Sequence, residues 1–398
     1  MKKRNILQIT FLALCATLCT SCTNEEETIA PAPPAGEPVL LQVHTGIELT
    51  RSAIQGSTDA STVGAALDSI AVYANSATQH SATNNYSVYK WDTSAAGAWV
   101  IDGKDSIKLT GETAKIYAHY PAYKMNNDGT ADKSSALKPT SAAPYIGSST
   151  IAISVFEKDD VTAANHTITP VDNADKDSGG NDNISGKGKL ATAPGDIDYM
   201  YADTSTAVTA TATSPDVTLN MKHALSMVSF RAYNDGTYNG IGLLTKIMLK
   251  NSNNGTALDK GTSPAMQLNG ILVKGVAAAA TYTRLIGTND ETLVKATTTD
   301  IDGKTLAKEK SKKFGILVLP DEMAGSSGTA GADKSSVNVV LTIDGVDYTT
   351  ALPNTGATWV QGKNYLYTLK LSGAGLSVTS VMIADWTTET AGSDLEIK

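Results

Sequence analysis

Val337-Asn-Val-Val-Leu-Thr-Ile-Asp-Gly-Val-Asp-Tyr-Thr-Thr350 decides the fold class. Val337, Val339, Leu341 and Ile343 recur at every second position, the period of a strand with one face in a core. Asp344-Gly345 then supplies two residues that tolerate positive φ, the requirement of a tight two-residue turn. A second β-rich run follows at once, so the stretch reads as a hairpin. The pattern repeats on both sides. Phe314-Gly-Ile-Leu-Val-Leu319 is a buried strand closed by Pro320, Asn364-Tyr-Leu-Tyr-Thr-Leu-Lys-Leu371 is another, and residues 376–386 complete the set.

Working toward the N-terminus, Thr245-Lys-Ile-Met-Leu-Lys250 is a strand, and residues 217–231 read as a long strand pair with a bend. The first half contains Ile70-Ala-Val-Tyr-Ala74, Tyr86-Ser-Val-Tyr-Lys-Trp91, Trp99-Val-Ile101 and Ala114-Lys-Ile-Tyr-Ala-His-Tyr120, with residues 196–202 closing it. Residues 124–190 are rich in Asn, Asp, Gly, Ser and Lys and are expected to hold long loops. A Thr/Ala/Ser-rich stretch at 203–216 ends in Ser214-Pro215-Asp216, where the domain boundary is placed. Many short strands between turns, with little helical periodicity, predict an all-β protein of sandwiches or barrels.

One strand stands apart. In Val39-Leu-Leu-Gln-Val-His-Thr-Gly-Ile-Glu-Leu-Thr-Arg51, apolar side chains fall at Val39, Leu41, Val43, Ile47 and Leu49, and Thr45 fills the gap. The alternation again offers one face to a core. A Pro-rich tether (residues 28–38) precedes it, and a polar stretch (residues 52–62) follows.

The N-terminus reads as an address. Lys2, Lys3 and Arg4 lead into a mostly apolar run at 6–18 that is too short for an ordinary membrane-spanning helix. All three cysteines lie in this segment, at 15, 19 and 22. Cleavage before Cys22 would leave one cysteine at the new N-terminus, the place of a lipidated outer-membrane precursor carrying palmitate-type chains. Several acyl chains together anchor stably, whereas one alone is marginal. Removing residues 1–22 leaves 29 basic residues against 40 acidic ones, a net of −11. That acidity argues against a nucleic-acid partner.

Chemistry is sparse. The five histidines are scattered, and no cysteine remains beyond residue 22 for a structural zinc site. Gly303-Lys304-Thr305 lacks the earlier glycine of a phosphate-binding loop and reads as a turn. The run at 175–183 lacks the glutamate that closes a calcium loop, because Gly186 holds that place. Ser135 and Lys138 have serine–lysine spacing without a supporting motif, and His223 reads as a packed structural residue. Nothing assembles a nucleophile, a base and an oxyanion stabiliser, so the expectation is a non-enzyme with no cofactor, no catalytic residue and no metal.

The chain resembles the Bacteroidales fimbrillins, major-subunit pilins made as lipoprotein precursors. The resemblance rests on the lipoprotein signal and on the strand before Thr50-Arg51-Ser52. It also rests on Ile116-Tyr-Ala-His-Tyr-Pro121, Asp198-Tyr-Met-Tyr-Ala202, His223-Ala-Leu-Ser226 with Val228-Ser-Phe230, and Leu268-Asn-Gly270. Trp359-Val-Gln-Gly-Lys-Asn-Tyr-Leu-Tyr-Thr368 and Val381-Met-Ile-Ala-Asp-Trp386 complete it. It implies two transthyretin-like β-sandwich domains in tandem. On that reading residues 1–21 are signal peptide, 22–51 a lipidated tether and propeptide strand, 52–214 the N-terminal domain, and 215–398 the C-terminal domain with an extension. It implies a trypsin-like cut between Arg51 and Ser52, loss of the strand holding Val39, Leu41, Val43, Ile47 and Leu49, and filling of the groove by a strand of another pilin subunit. The C-terminal extension, with Leu395 and Ile397 at period two, is the candidate donor or equally the last strand of its own domain. Asp68-Ser69-Ile70 and Asp105-Ser106-Ile107 match a short O-glycosylation pattern of these bacteria.

The leading expectation is therefore a structural subunit of an adhesive cell-surface fimbria, tethered to the outer membrane by lipid on Cys22 until it is processed. Its partners would be other pilin subunits, with host glycans or proteins as adhesion targets. A tip or accessory pilin is the nearest variant. The rival is a permanently anchored glycan-binding lipoprotein using Tyr86, Tyr89, Trp91 and Trp99 as sugar platforms; a surface hydrolase ranks last.

Overall fold

In the computed structural model the Val337–Ile343 and Val346–Ala351 strands pair antiparallel with Ile343 opposite Val346. Asp344 and Gly345 both take positive φ, 51° and 77°, as a two-residue turn of this type needs. The structure describes residues 39–47, 60–77, 85–94, 97–126, 128–155, 166–169, 190–202, 204, 207–252, 257–287, 291–295, 311–320, 337–353, 359–385 and 395–396. All of them belong to one unit, Pro38–Lys398.

The hairpin lies in a six-stranded sheet ordered Thr167–Ile168, Thr281–Ile286, Leu243–Asn251, Val337–Ile343 and Val346–Ala351, with Glu291–Thr292 also on Leu243–Asn251. A seven-stranded sheet faces it, ordered Leu190–Ala191, Lys313–Val318, Ser226–Asn234, Lys363–Ser372, Gly375–Asp385 and Leu395–Glu396, with Val294–Lys295 also on Ser226–Asn234. The alternating faces of both meet in one core that includes Ile247, Leu249, Leu341, Phe230, Tyr367 and Trp359. Ser226–Asn234 is buried along its whole length because it is central in its sheet, flanked by Lys313–Val318 and Lys363–Ser372. The all-β sandwich expectation holds.

The first half is built on an eight-stranded sheet ordered Gln42–Ile47, Asp216–His223, Met200–Ala202, Ala114–Tyr120, Ser69–Asn75, Tyr86–Asp92 and Ala98–Ile101, with Thr209–Ala210 also on Ala114–Tyr120. Both faces of its central strand, Ser69–Asn75, are covered. Along Ser69–Asn75, Ile70, Val72 and Ala74 enter one core with Leu41 and Val43, while Ala71 and Tyr73 enter another with Leu225, Met266 and Leu317. That second core draws on both halves of the chain.

Three features depart from the sequence reading. The expected bend between 217 and 231 is real, but it separates two sheets. Asp216–His223 pairs with Gln42–Ile47 and Met200–Ala202 in the first sheet, whereas Ser226–Asn234 starts the second half. The sheets thus change over at Ala224-Leu225, beyond the Ser214-Pro215-Asp216 punctuation. Residues 124–190, expected to be loops, contribute Ala131–Ala136 to a hairpin with Tyr123–Met125, Thr150–Ala152 to a three-stranded sheet, and Thr167–Ile168 and Leu190–Ala191 as parallel edge strands on the two C-terminal sheets. A helix, Ala60–Leu67, begins within the polar stretch and buries Val63 and Leu67 in the first core.

Candidate functional site: the seam held by the first strand

The first strand does not lie on the sheet as an ordinary edge. At Val39–Leu40 it pairs antiparallel with Lys108–Leu109. At Gln42–Ile47 it pairs parallel with Asp216–Met221 across the other side of the same core. The switch occurs between adjacent residues: the Leu41 N–H donates to the Ile107 carbonyl at 3.1 Å, and the Gln42 N–H donates to the Pro215 carbonyl at 3.0 Å. The strand therefore stitches together two parts of the first half that would otherwise face each other across a slot.

Side chains close the slot as well. Leu41, Val43 and Thr45 are buried, while Gln42 and His44 point outward, the alternation read from the sequence. Leu41 and Val43 share a core with Val217, Leu219, Trp99 and Ile107. Two polar contacts come from the opposite flank. The Tyr89 hydroxyl donates to the Leu41 carbonyl at 2.8 Å, and the Trp99 indole N–H donates to the Thr45 hydroxyl at 2.8 Å. Trp99 lies on Ala98–Ile101, the last strand in a sheet order that begins with Gln42–Ile47. A contact between the first and last strands means that the sheet curls until its two edges meet, and the first strand occupies the join. Burial raises the Tyr89 phenol well above its ordinary value, so it stays a proton donor at any physiological pH.

Of the expected site residues, Val39, Leu41 and Val43 sit in this seam. The backbone of Ile47 pairs with Met221. Leu49, Arg51, Ser52 and Cys22 lie outside the described residues, as does Ile397. Leu395–Glu396 pairs antiparallel with Ser380 and Val381 at the edge of the seven-stranded sheet, within its own chain. In the rival reading Trp99 and Tyr89 are sugar platforms, although such aromatics are more often core or sheet-pair residues. Both are buried, as is Tyr86, and Trp91 packs edge-on against Trp99 with ring centroids 5.6 Å apart. Their work is internal, and no sequence signal distinguishes a seam-closing tryptophan from an exposed one. Ser69 of the first glycosylation-like triplet is also buried, in a strand between two neighbours. His223 is held by Asp198 at 2.7 Å, both side chains buried.

A family model described as fimbrillin-like matches residues 51–386. The chain belongs to the fimbrillin-like family. Membership gives it a fimbrial or cell-adhesion role at the cell surface and association with other fimbrial subunits. The matched span starts at Arg51, so the first strand of this fimbrillin-like chain falls outside it. A search of curated proteins finds no match. Among solved structures, a fimbrial protein from Bacteroides vulgatus is 11% identical with a TM-score of 0.49, covering 88% of this chain and 100% of that one. A candidate cell adhesion protein from Bacteroides uniformis is 18% identical with a TM-score of 0.45, covering 89% and 100%. The fimbrial anchor protein Mfa2 from Porphyromonas gingivalis is 9% identical with a TM-score of 0.33, covering 90% and 99%.

Proposed function

We propose that this chain is a fimbrial subunit whose first strand is replaceable: it is exported as a lipoprotein on Cys22, cut after Arg51, and assembled when a strand of another subunit enters the vacated seam. The observation that carries the reading is that Gln42–Ile47 pairs along Asp216–Met221 on one side and is met on the other by the Trp99 indole from the opposite edge strand. Withdrawing this strand would expose the backbone N–H and C=O groups that it pairs on Asp216–Met221, together with the apolar trough that receives Leu41 and Val43. Both are costly to leave open, and both are satisfied by an added strand with side chains in alternate pockets. The start of the family match at Arg51 supports the same division. On this reading the domains run 52–214 and 215–398, and the second segment lends its first strand, Asp216–His223, to the first sheet as a wall of the groove.

N-terminal sequencing of fimbriae sheared from cells tests the proposal. Ser52 as the first residue is the expected result, and Arg51→Ala should leave lipidated monomer without fimbriae. A sheared pool that begins at Cys22 would overturn strand removal.

A further inference from the structure

We infer that the seam reads the sequence of its occupant: it takes a strand patterned apolar, any, apolar, any, hydroxyl, and the hydroxyl sets the register. This rests on the replaceable-strand reading above and adds a selection rule to it. The apolar part alone cannot fix the register. A slip by one residue would turn Leu41 and Val43 outward and is rejected, but a slip by two keeps apolar side chains in the trough. The contact at Thr45 breaks that degeneracy. Thr45 and Trp99 are 4% and 9% exposed, and the indole N–H meets the Thr45 hydroxyl at 2.8 Å. Sliding the strand two residues in either direction would bring Val43 or Ile47 to this place. Neither offers an acceptor, so the buried indole N–H would lose its partner.

The second polar contact plays a different part. Tyr89 donates to a main-chain carbonyl, that of Leu41, which any strand supplies. It holds an occupant without selecting a sequence. The outward residues Gln42 and His44 contribute little selection; His44 makes only a solvent-exposed 3.5 Å contact with Asp216. Specificity is thus concentrated in one polar pair within an apolar trough, as a single buried polar group can fix register in other assemblies.

The test uses the full chain, nicked after Arg51 with its own first segment still seated, and challenges it with excess labelled peptide of sequence 38–50. The unaltered peptide should enter. The peptide carrying Thr45→Val should bind about ten-fold more weakly, because it leaves a buried donor unpaired. A Thr45→Ser peptide should retain most of the affinity. In nicked protein carrying Trp99→Phe, which removes the donor, the Thr45→Val penalty should vanish. Equal binding of the Thr45 and Thr45→Val peptides to the Trp99 protein would overturn the selection rule while leaving strand replacement standing. If no peptide of either sequence enters, strand replacement itself falls and takes the rule with it. Because the main comparison varies only the peptide, it does not depend on the folding of any protein variant.

Discussion

Asp196 and Arg284 are a fully buried ion pair, their side chains 1% and 0% exposed. Asp196 follows the edge strand Leu190–Ala191, and Arg284 lies on Thr281–Ile286. The guanidinium meets both carboxylate oxygens, with its Nε 2.9 Å from Oδ2. Such a pair adds little net stability over an apolar substitute, but breaking one side strands the other charge. Asp196→Ala should therefore cost about 3–5 kcal/mol in urea unfolding. A cost below about 1 kcal/mol would show that water reaches Arg284. His119 gives the clearest pH dependence. It is completely buried, its Nδ1–H donates to the Pro121 carbonyl, and its Nε2 accepts from the Tyr73 hydroxyl at 2.8 Å. Both contacts fit the neutral ring, and burial lowers its pKa from 6.5 to about 4. Because the folded value is the lower one, the unfolded chain binds the extra proton first as pH falls. The stabilisation is complete above about pH 6.5 and is lost on the way down to about pH 4, amounting to roughly 3 kcal/mol. Comparing wild type with His119→Gln from pH 7.5 to 4 isolates it: the wild type should lose that much more stability. Parallel curves would show that the ring is reached by solvent.

At the scale of elements, the helix Ala60–Leu67 sets local propensity against packing. Gly64 is in the middle of the helix, where alanine would ordinarily gain about 1 kcal/mol. A Cβ at Gly64, however, would fall 1.9 Å from Cδ2 of the Trp91 ring. Since the clash is with a ring already packed on Trp99, Gly64→Ala should destabilise by about 1–3 kcal/mol and alter the near-UV circular dichroism of the tryptophans. Stabilisation would mean that Trp91 moves aside freely. The same element shows what a sequence can and cannot display. Long strands such as Val337–Ile343 are legible because alternation and turn residues act within the segment itself. The helix is not, because Ala-Ser-Thr-Val-Gly-Ala-Ala-Leu contains β-branched residues and a glycine, and only docking on the first core stabilises it. Thr167–Ile168 and Leu190–Ala191 are too short for any period, and they are strands only because a sheet edge is there to pair with. In the candidate site, Leu41, Val43 and Thr45 were visible as a pattern. Trp99 and Tyr89 are legible as strand residues but not as seam-closing ones, since that role depends on the sheet curling back on itself.

For the whole molecule, the middle core decides how the two halves behave. It joins Tyr73, Ile197 and Tyr199 from the first half to Leu225, Met227 and Leu317 from the second. Asp196 and Arg284 tie the same two regions. Neither half can bury its share of these side chains alone, and an exposed apolar face of this kind drives aggregation. The first sheet and the C-terminal sandwich should therefore unfold together despite having separate inner cores. Native-state hydrogen exchange tests this directly. The central strands Ser69–Asn75 and Ser226–Asn234 should exchange with the same opening free energy, and Leu225→Ala should lower both by a similar amount, about 2–4 kcal/mol. If only the strands of one half respond, the middle core is a contact between independent domains rather than a shared one.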